Sequence, residues 1–205
     1  SHWLVRKILP VCLAVTLLVT LAAADRVPAR VVVVGDVHGA YAEWVVLLQR
    51  MGLIDGNRQW RGGSTTLVQT GDVLDRGPRS RECLDLLMAL ERRAANDGGK
   101  VIPLLGNHEA MNVMGDLRYV TPEIYRTFAT ADSGNKRDRA YKEYLAFLSA
   151  HSSHSHTAIP PDDEATRKKW MDAHPPGFVE YRDALGPKGR YGRWPGASAK
   201  PSWVR

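Results

Sequence analysis

The sequence predicts an α/β fold with a parallel sheet, and three observations support this prediction. Short apolar segments rich in β-branched residues alternate with segments whose apolar residues recur at helical spacing. The order strand, helix, strand, helix, strand favours parallel strands joined by right-handed crossovers. A polar, glycine-containing cluster follows each predicted strand, and the clusters lie one βα period apart: Asp36 and Asp72 are separated by 36 residues, Asp72 and Asn107 by 35.

The predicted elements follow from local spacing. The first strand, at 30–34, is expected to be fully buried because four valines follow its arginine. Apolar residues at helical spacing, among them Trp44 and Leu48, predict a helix that ends before Gly52. The elements of the predicted βαβαβ unit are strands at 30–34, 65–69 and 100–105, and helices at 40–51 and Ser80–Asn96.

The chain after residue 113 is predicted to be mainly helical. Its periodicity indicates helices at 122–129 and 137–150, one around Trp170 and a short one near 178–184, with a loop at 151–163. Of the two cysteines, Cys12 lies in an amino-terminal leader and Cys83 in the second predicted helix. We therefore expect no internal disulfide, and a core position for Cys83.

The first 24 residues have the layout of a secretory signal peptide. Two basic residues precede an apolar stretch at 8–21, and three alanines follow. An uncleaved membrane anchor and part of an organellar transit sequence are the alternatives. We expect an extracytoplasmic or secretory location, or else an organellar or membrane-anchored one, with membrane contact only through this segment. The predicted domains are a leader at 1–24, a linker at 25–29 and an incomplete domain at 30–205 with a helical insert at about 113–190.

Composition and charge narrow the classes of partner. The chain has 205 residues, 44% hydrophobic and 24% charged, as expected for one globular domain. Its formal net charge is +6, but the basic residues are scattered without interleaved aromatic side chains, so we expect no nucleic-acid partner. The positive charge suits attraction of anionic substrates better.

The three polar clusters are GDVHG at 35–39, GDVLDRG at 71–77 and GNHE at 106–109. Open sheets carry ligand sites outside the carboxyl ends of their strands, so we expect these clusters to meet in one crevice. Their carboxylates, imidazole and amide suit iron, zinc or manganese. Asp72, in the middle cluster, is placed to bridge two cations, an arrangement that stabilises the attacking and leaving oxygens in displacement at phosphorus.

Other residues of the clusters suit phosphate chemistry. Arg76 offers a planar fork for two phosphate oxygens. His108 is a candidate proton donor to a leaving alkoxide, and Asp75 is a candidate to hold that imidazole. Each position alone is more simply a turn or structural residue, but three such clusters at equal spacing favour a functional site.

These blocks closely resemble, in order, the signatures of calcineurin-like metallophosphoesterases of the phosphoprotein phosphatase superfamily. The stretch FVEYRDALGPKGRYGRW at 178–194 and the long insert after GNHE resemble the Shewanella-like phosphatase branch. The resemblance implies a β-sandwich flanked by helices, with the amino-terminal βαβαβ half present and the carboxy-terminal sheet missing. The chain starts with Ser1 and ends on the strand-like KPSWVR, so we expect a fragment cut at both ends.

The resemblance also implies roles for individual residues and two metal ions, of manganese, iron or zinc. Asn107 and Arg76 would bind the substrate phosphate. Two further metal-ligand histidines of the family, from later blocks, are not in the chain; the run HSSHSH (His151, His154, His156) is more simply a solvated loop than a substitute, and His174 a loop residue. The remaining implied roles are metal ligation by Asp36, His38, Asp72 and Asn107, and general acid catalysis by His108 paired with Asp75.

The activity implied is removal of phosphate from serine, threonine or tyrosine side chains of a phosphorylated protein or peptide, by a hydroxide that two metal ions activate. Hydrolysis of a bis-nucleoside polyphosphate is one alternative, since the same blocks serve that chemistry. An inactive phosphate-binding protein is the other, because with two ligands missing the second metal would bind weakly.

Overall fold

The computed structural model describes residues 30–151 and 160–194, which contain a three-stranded parallel sheet and seven helices. The predicted leader, the linker at 25–29 and the terminal KPSWVR lie outside the described residues. None of the described helices is both long and apolar enough to cross a membrane. The amino-terminal elements are β1 (Val31–Val34), α1 (Tyr41–Arg50), β2 (Thr66–Gln69), α2 (Ser80–Asn96) and β3 (Lys100–Pro103).

The sheet confirms the predicted βαβαβ unit and aligns the ends of its strands. Its strand order is β1-β2-β3, with both pairs parallel. In the register, Val34 pairs with Gln69, and Gln69 pairs with Pro103. The carboxyl ends of all three strands therefore lie side by side, and the loops that follow them leave from one edge of the sheet.

The core lies on one face of the sheet, where apolar side chains of the strands meet those of α1 and α2. Leu67 in the central strand, Leu48 in α1 and Leu87 in α2 are fully buried, and each contributes roughly 1.5–3 kcal/mol through the hydrophobic effect. Cys83 lies in this core as predicted, and burial raises the pKa of its thiol to about 12.

The prediction that β1 is fully buried is wrong. Val31 and Val33 are each 60% exposed, whereas Val34 is buried and Val32 packs partly against the core. The reason is the two-residue period of a strand, which points alternate side chains to opposite faces. The described residues leave the second face of β1 largely uncovered, so four consecutive valines marked a strand correctly but not its surroundings.

The helices after β3 differ in part from the prediction. The GNHE cluster, for which the sequence predicted no helix, begins a helix at Asn107, with Gly106 as its N-cap and Gly115, at φ 82°, as its left-handed C-cap. β3 ends at Pro103 instead of residue 105. The fifth helix begins one turn earlier than predicted and includes His151. These helices are α3 (Asn107–Met114), α4 (Pro122–Phe128), α5 (Ser133–His151), α6 (Glu164–Ala173) and α7 (Phe178–Leu185).

An aromatic cluster packs α7 against α4. The ring of Tyr181 in α7 makes edge contacts with Tyr125 and Phe128 of α4, at centroid distances of 5.3 and 5.0 Å. Such pairs add about 0.5–1.5 kcal/mol beyond the area that they bury. The cluster fixes the position of Tyr181, whose hydroxyl reaches α3.

Candidate metal centre and phosphate site

The loop between β1 and α1 presents a carboxylate and an oriented imidazole. The Nδ1–H of His38 donates to the carbonyl of Leu74 at 2.9 Å, which leaves Nε2 with its lone pair. That Nε2 is buried, has no hydrogen-bond partner and lies 3.5 Å from Oδ2 of the exposed Asp36. A buried nitrogen acceptor without a donor, beside a carboxylate, is the state expected of a metal ligand.

The second loop adds another carboxylate at the same point. Oδ1 of Asp72 accepts the backbone N–H of His108 at 2.9 Å, which orients the side chain at the amino-terminal end of α3. The partial positive charge at a helix N-terminus stabilises a carboxylate there. Asp72 is thereby held between the first and third loops, and the three loops do meet at one edge of the sheet.

One ligand atom each from Asp36, His38 and Asp72 lies within 4.8 Å of the other two. Among the described residues, this is the one group of three or more Asp, Glu, His or Cys side chains that is close enough together to hold a metal ion. Two carboxylates and an imidazole fit a divalent cation such as manganese, zinc or iron. Asn107 is exposed at the first position of α3, next to the residue whose N–H binds Asp72.

Two glycines make the close approach of these loops possible. A Cβ atom at Gly106 would overlap the carboxylate and the backbone nitrogen of Asp72, and one at Gly71 would overlap the backbone of Gly106. Gly71 also has a φ of +98°, which favours glycine. Gly35, by contrast, has open space around it and no positive φ, so neither a close contact nor the backbone conformation requires glycine there.

Backbone strain is concentrated in the same loops. Four of the five non-glycine residues with positive φ among the described residues are His38, Asp72, Asp75 and Arg76. Each such conformation costs on the order of 1–3 kcal/mol and persists where surrounding contacts enforce it. The strain therefore lies where the candidate functional side chains are.

A buried acid–histidine pair adjoins the cluster. Nδ1 of His108 lies 2.8 Å from Oδ2 of Asp75, and both residues are 1% exposed. Arg76 Nη2 donates to His108 Nε2 at 3.2 Å. Because a guanidinium only donates, the imidazole carries its proton on Nδ1, toward Asp75. The structure therefore brings together the two residues that the sequence suggested as a pair, with the predicted phosphate ligand beside them.

Glu109 is the first site residue for which sequence reasoning gave no role. Its buried carboxylate accepts backbone N–H groups from both neighbouring loops: Asp72 at 2.7 Å, Val73 at 2.9 Å, Leu74 at 3.1 Å and Gly106 at 2.9 Å. The signal in the sequence was a glutamate three residues after a possible N-cap, the position from which a side chain reaches back to the N-cap N–H.

Gln69 is the second residue that the sequence analysis missed. Its fully buried amide Nε2 donates to the carbonyls of Gly35, at 2.6 Å, and Gly71, at 3.1 Å. It thus connects the loops that follow β1 and β2. A lone polar residue at the end of a buried strand was the available signal.

The other histidines considered as metal ligands do not join the described cluster. His151 ends α5 and is therefore helical, with its ring stacked on Phe147 at 4.2 Å. His174 follows α6, and its ring stacks on Trp170 at 4.2 Å. His154 and His156 lie outside the described residues.

A parallel sheet with metal-compatible side chains and a buried acid–histidine pair at its strand ends is compatible with a metal-dependent phosphoester hydrolase. Comparison with known families agrees with this: the family described as "Calcineurin-like phosphoesterase" matches residues 29–196 of the chain. The chain belongs to the calcineurin-like phosphoesterase family. The described residues contain a partial sheet of the metallophosphoesterase fold, and the family is metal-dependent.

Phosphatases are among the individual proteins to which the chain is similar. The chain is 48% identical over 101 residues to Shewanella-like protein phosphatase 2 of Arabidopsis thaliana. The aligned segment covers 49% of this chain and 26% of the relative. The crystal structure of a cold-active protein-tyrosine phosphatase from a psychrophilic Shewanella species matches with a TM-score of 0.50 and 26% identity, over 80% of this chain and 36% of that one.

A relative with another printed activity also matches. A symmetrical bis(5'-nucleosyl)-tetraphosphatase of Cronobacter sakazakii is 40% identical over 76 residues, 37% of this chain and 22% of the relative. The chain thus spans well under half the length of each of these three proteins.

Proposed function

We propose that the protein removes phosphate from serine, threonine or tyrosine side chains of phosphorylated proteins or peptides. The observation that carries this proposal is the buried Asp75–His108 pair beside the cluster of Asp36, His38 and Asp72. The similarity to a Shewanella-like protein phosphatase and to a protein-tyrosine phosphatase structure supports a phosphoprotein substrate.

Asp36, His38 and Asp72 would hold one metal ion, and Asp72 and the amide oxygen of Asn107 would hold a second. When bound, such ions act as Lewis acids on the phosphate and make water nucleophilic near neutral pH. The protein keeps His38 Nε2 free to bind by holding Nδ1–H on Leu74, and it orients Asp72 through the N–H of His108.

Arg76 and His108 act on the substrate in this proposal. The exposed guanidinium of Arg76 turns to two phosphate oxygens, assisted by Asn107, and so releases Nε2 of His108. His108, protonated on Nε2, gives that proton to the leaving oxygen of the ester. Asp75 Oδ2 accepts from Nδ1–H throughout, which fixes the ring and stabilises its positive charge.

Phosphate release by the full-length protein with added manganese tests the proposal. We expect hydrolysis of a phosphopeptide and of 4-nitrophenyl phosphate, and a loss of about 10²–10⁴-fold for His108→Asn. Asp72→Asn should also abolish most activity, whereas Asp116→Asn, a surface carboxylate paired with Arg118, should not change it. Equal rates for wild type and Asp72→Asn would overturn the proposal.

A bis-nucleoside tetraphosphatase is the second candidate, favoured by the similarity to the Cronobacter protein. Protein dephosphorylation and dinucleoside tetraphosphate hydrolysis would use the same loops, so only the substrate preference distinguishes the two activities. A dinucleoside tetraphosphate cleaved at a kcat/KM well above that of a phosphopeptide would establish this alternative. If the protein binds inorganic phosphate and hydrolyses neither substrate, it is a non-catalytic phosphate-binding protein.

We further propose an extracytoplasmic or secretory location, supported by the layout of residues 1–24 alone. A reporter that is active only after export, fused behind residues 1–29, should become active. Cleavage close to Ala24 would separate a signal peptide from a membrane anchor, and import of the fusion into an organelle would contradict the proposal.

A further inference from the structure

Asp75 is held by more than its contact with His108. The amide Nδ2 of Asn112 lies 3.1 Å from Oδ1 and 3.0 Å from Oδ2 of Asp75, and 2.9 Å from the carbonyl of His108. Asn112 is buried in α3, one turn after His108. Its amide therefore contacts both members of the pair.

Tyr181 extends this network from α7. Its hydroxyl donates to Oδ1 of Asn112 at 2.6 Å and lies 3.5 Å from Oδ1 of Asp75. The residue is fully buried, and burial together with the charge of Asp75 raises the pKa of its hydroxyl. Tyr181 therefore stays protonated and remains a donor at any working pH.

The direction of these hydrogen bonds sets the orientation of the Asn112 amide. Because the Tyr181 hydroxyl donates to Oδ1 of Asn112, Nδ2 of Asn112 faces the carboxylate of Asp75. If the amide were flipped, its oxygen would face that carboxylate in a buried site, which is unfavourable. The hydrogen bonds from Tyr181 to Asn112 and from Asn112 to Asp75 thus fix both carboxylate oxygens of Asp75. Asp75 in turn fixes the Nδ1–H of His108.

We infer that Tyr181 and Asn112 are positioning residues for proton donation by His108. The inference rests on the proposed function, in which His108 protonates the leaving oxygen. It also gives the helices after GNHE a part in the reaction, because the aromatic contacts of α7 with α4 hold the Tyr181 ring that supplies the hydroxyl.

The chain offers a matched pair of tyrosines for the test. Tyr191 is also buried, and its hydroxyl donates to Oδ1 of Asp85 at 2.8 Å, away from Asp75 and His108. Tyr181→Phe and Tyr191→Phe each remove one buried hydroxyl and its hydrogen bond to a polar side chain. Only the first removes a hydrogen bond that leads to the proton donor.

The measurement compares kcat for phenyl phosphate and 4-nitrophenyl phosphate in the full-length, manganese-loaded protein. For Tyr181→Phe we expect about a tenfold loss with phenyl phosphate and under about twofold with 4-nitrophenyl phosphate, because a basic leaving oxygen depends more on a proton donor. KM should stay unchanged. Tyr191→Phe should leave the ratio of the two rates at the wild-type value.

A second readout does not depend on turnover. In metal-free protein, the downfield proton NMR signal of His108 Nδ1–H should be sharp in wild type and Tyr191→Phe, and broadened by exchange in Tyr181→Phe. A wild-type rate ratio and a sharp signal in Tyr181→Phe would overturn the inference and leave the proposed function intact. Absence of hydrolysis by the wild type would instead overturn the proposed function.

Discussion

The carboxylate of Glu109 connects the loop after β2 with the segment after β3, because it accepts four backbone N–H groups from them. Three of these donors belong to Asp72, Val73 and Leu74, in the stretch that carries the strained conformation of Asp72. Glu109 therefore contributes to the site without facing it, by enforcing the backbone that presents the Asp72 side chain.

Glu109→Gln should lower the free energy of unfolding by about 2–3 kcal/mol, since an amide nitrogen would face backbone donors and the charge-assisted hydrogen bonds would be lost. Urea unfolding of both proteins measures this difference. Glu123→Gln is the control: its exposed ion pair with Arg126 is screened by water, so this variant should lose much less stability. Equal losses for the two variants would contradict this account of Glu109.

The candidate ligands and the acid–histidine pair were predictable at the residue scale, because each lies within a few residues of a strand end. Glu109, Asn112 and Tyr181 were not. Their importance lies in hydrogen bonds to residues 35 to 106 positions away in the chain. Local spacing contains no record of such contacts, and Tyr181 has the same helical pattern as any core aromatic residue.

At the scale of elements, the junction of the second loop with α3 depends on the absence of a side chain at Gly106. Gly106→Ala would force the Asp72 carboxylate and its backbone to move. We expect lower stability and weaker metal binding, measured by urea unfolding and by manganese titration.

Gly134→Ala is the matched control for this variant. Gly134 lies in the first turn of α5 with open space around it and no positive φ, so alanine there should leave the stability unchanged or raise it slightly. Destabilisation at Gly134, or unchanged manganese binding at Gly106→Ala, would contradict the steric argument.

The junction of α5 with α7 should depend on pH. Burial acts to raise the pKa of Glu180, but hydrogen bonds from Ser133 and Thr130, together with the charge of Lys136, more than offset it and lower this pKa below its ordinary value of 4.5. The folded state therefore binds fewer protons at this carboxyl than the unfolded state does. The stabilisation is present above pH 4.5 and is lost as the pH falls through the lowered pKa.

Comparison of unfolding free energies for wild type and Glu180→Gln between pH 7 and pH 3 tests this statement. The wild type should be the more stable at pH 7, and the difference should shrink as the pH falls below 4.5. A difference that is independent of pH would show that Glu180 contributes through packing alone.

At the scale of the whole molecule, the alternation of strands and helices predicted the βαβαβ unit and α2 with its observed bounds. It did not predict α3, because glycine and asparagine in GNHE are typical of loops, whereas the N-cap role of Gly106 and the back-bonding of Glu109 make a helix start there. The alternation of strands and helices also does not show whether a strand is buried on both faces or on one. In β1, the face with Val31 and Val33 is exposed.

The central claim is that the loops after β1 and β2 build a metal site on Asp36, His38 and Asp72, with Asp72 oriented by the N–H of His108. Manganese binding, measured by equilibrium dialysis with elemental analysis, tests it most directly. Asp36→Asn and Asp72→Asn should each weaken binding by at least about tenfold, since each removes a charged ligand, and Asp116→Asn should bind as the wild type does. Wild-type affinity in both site variants would contradict the account.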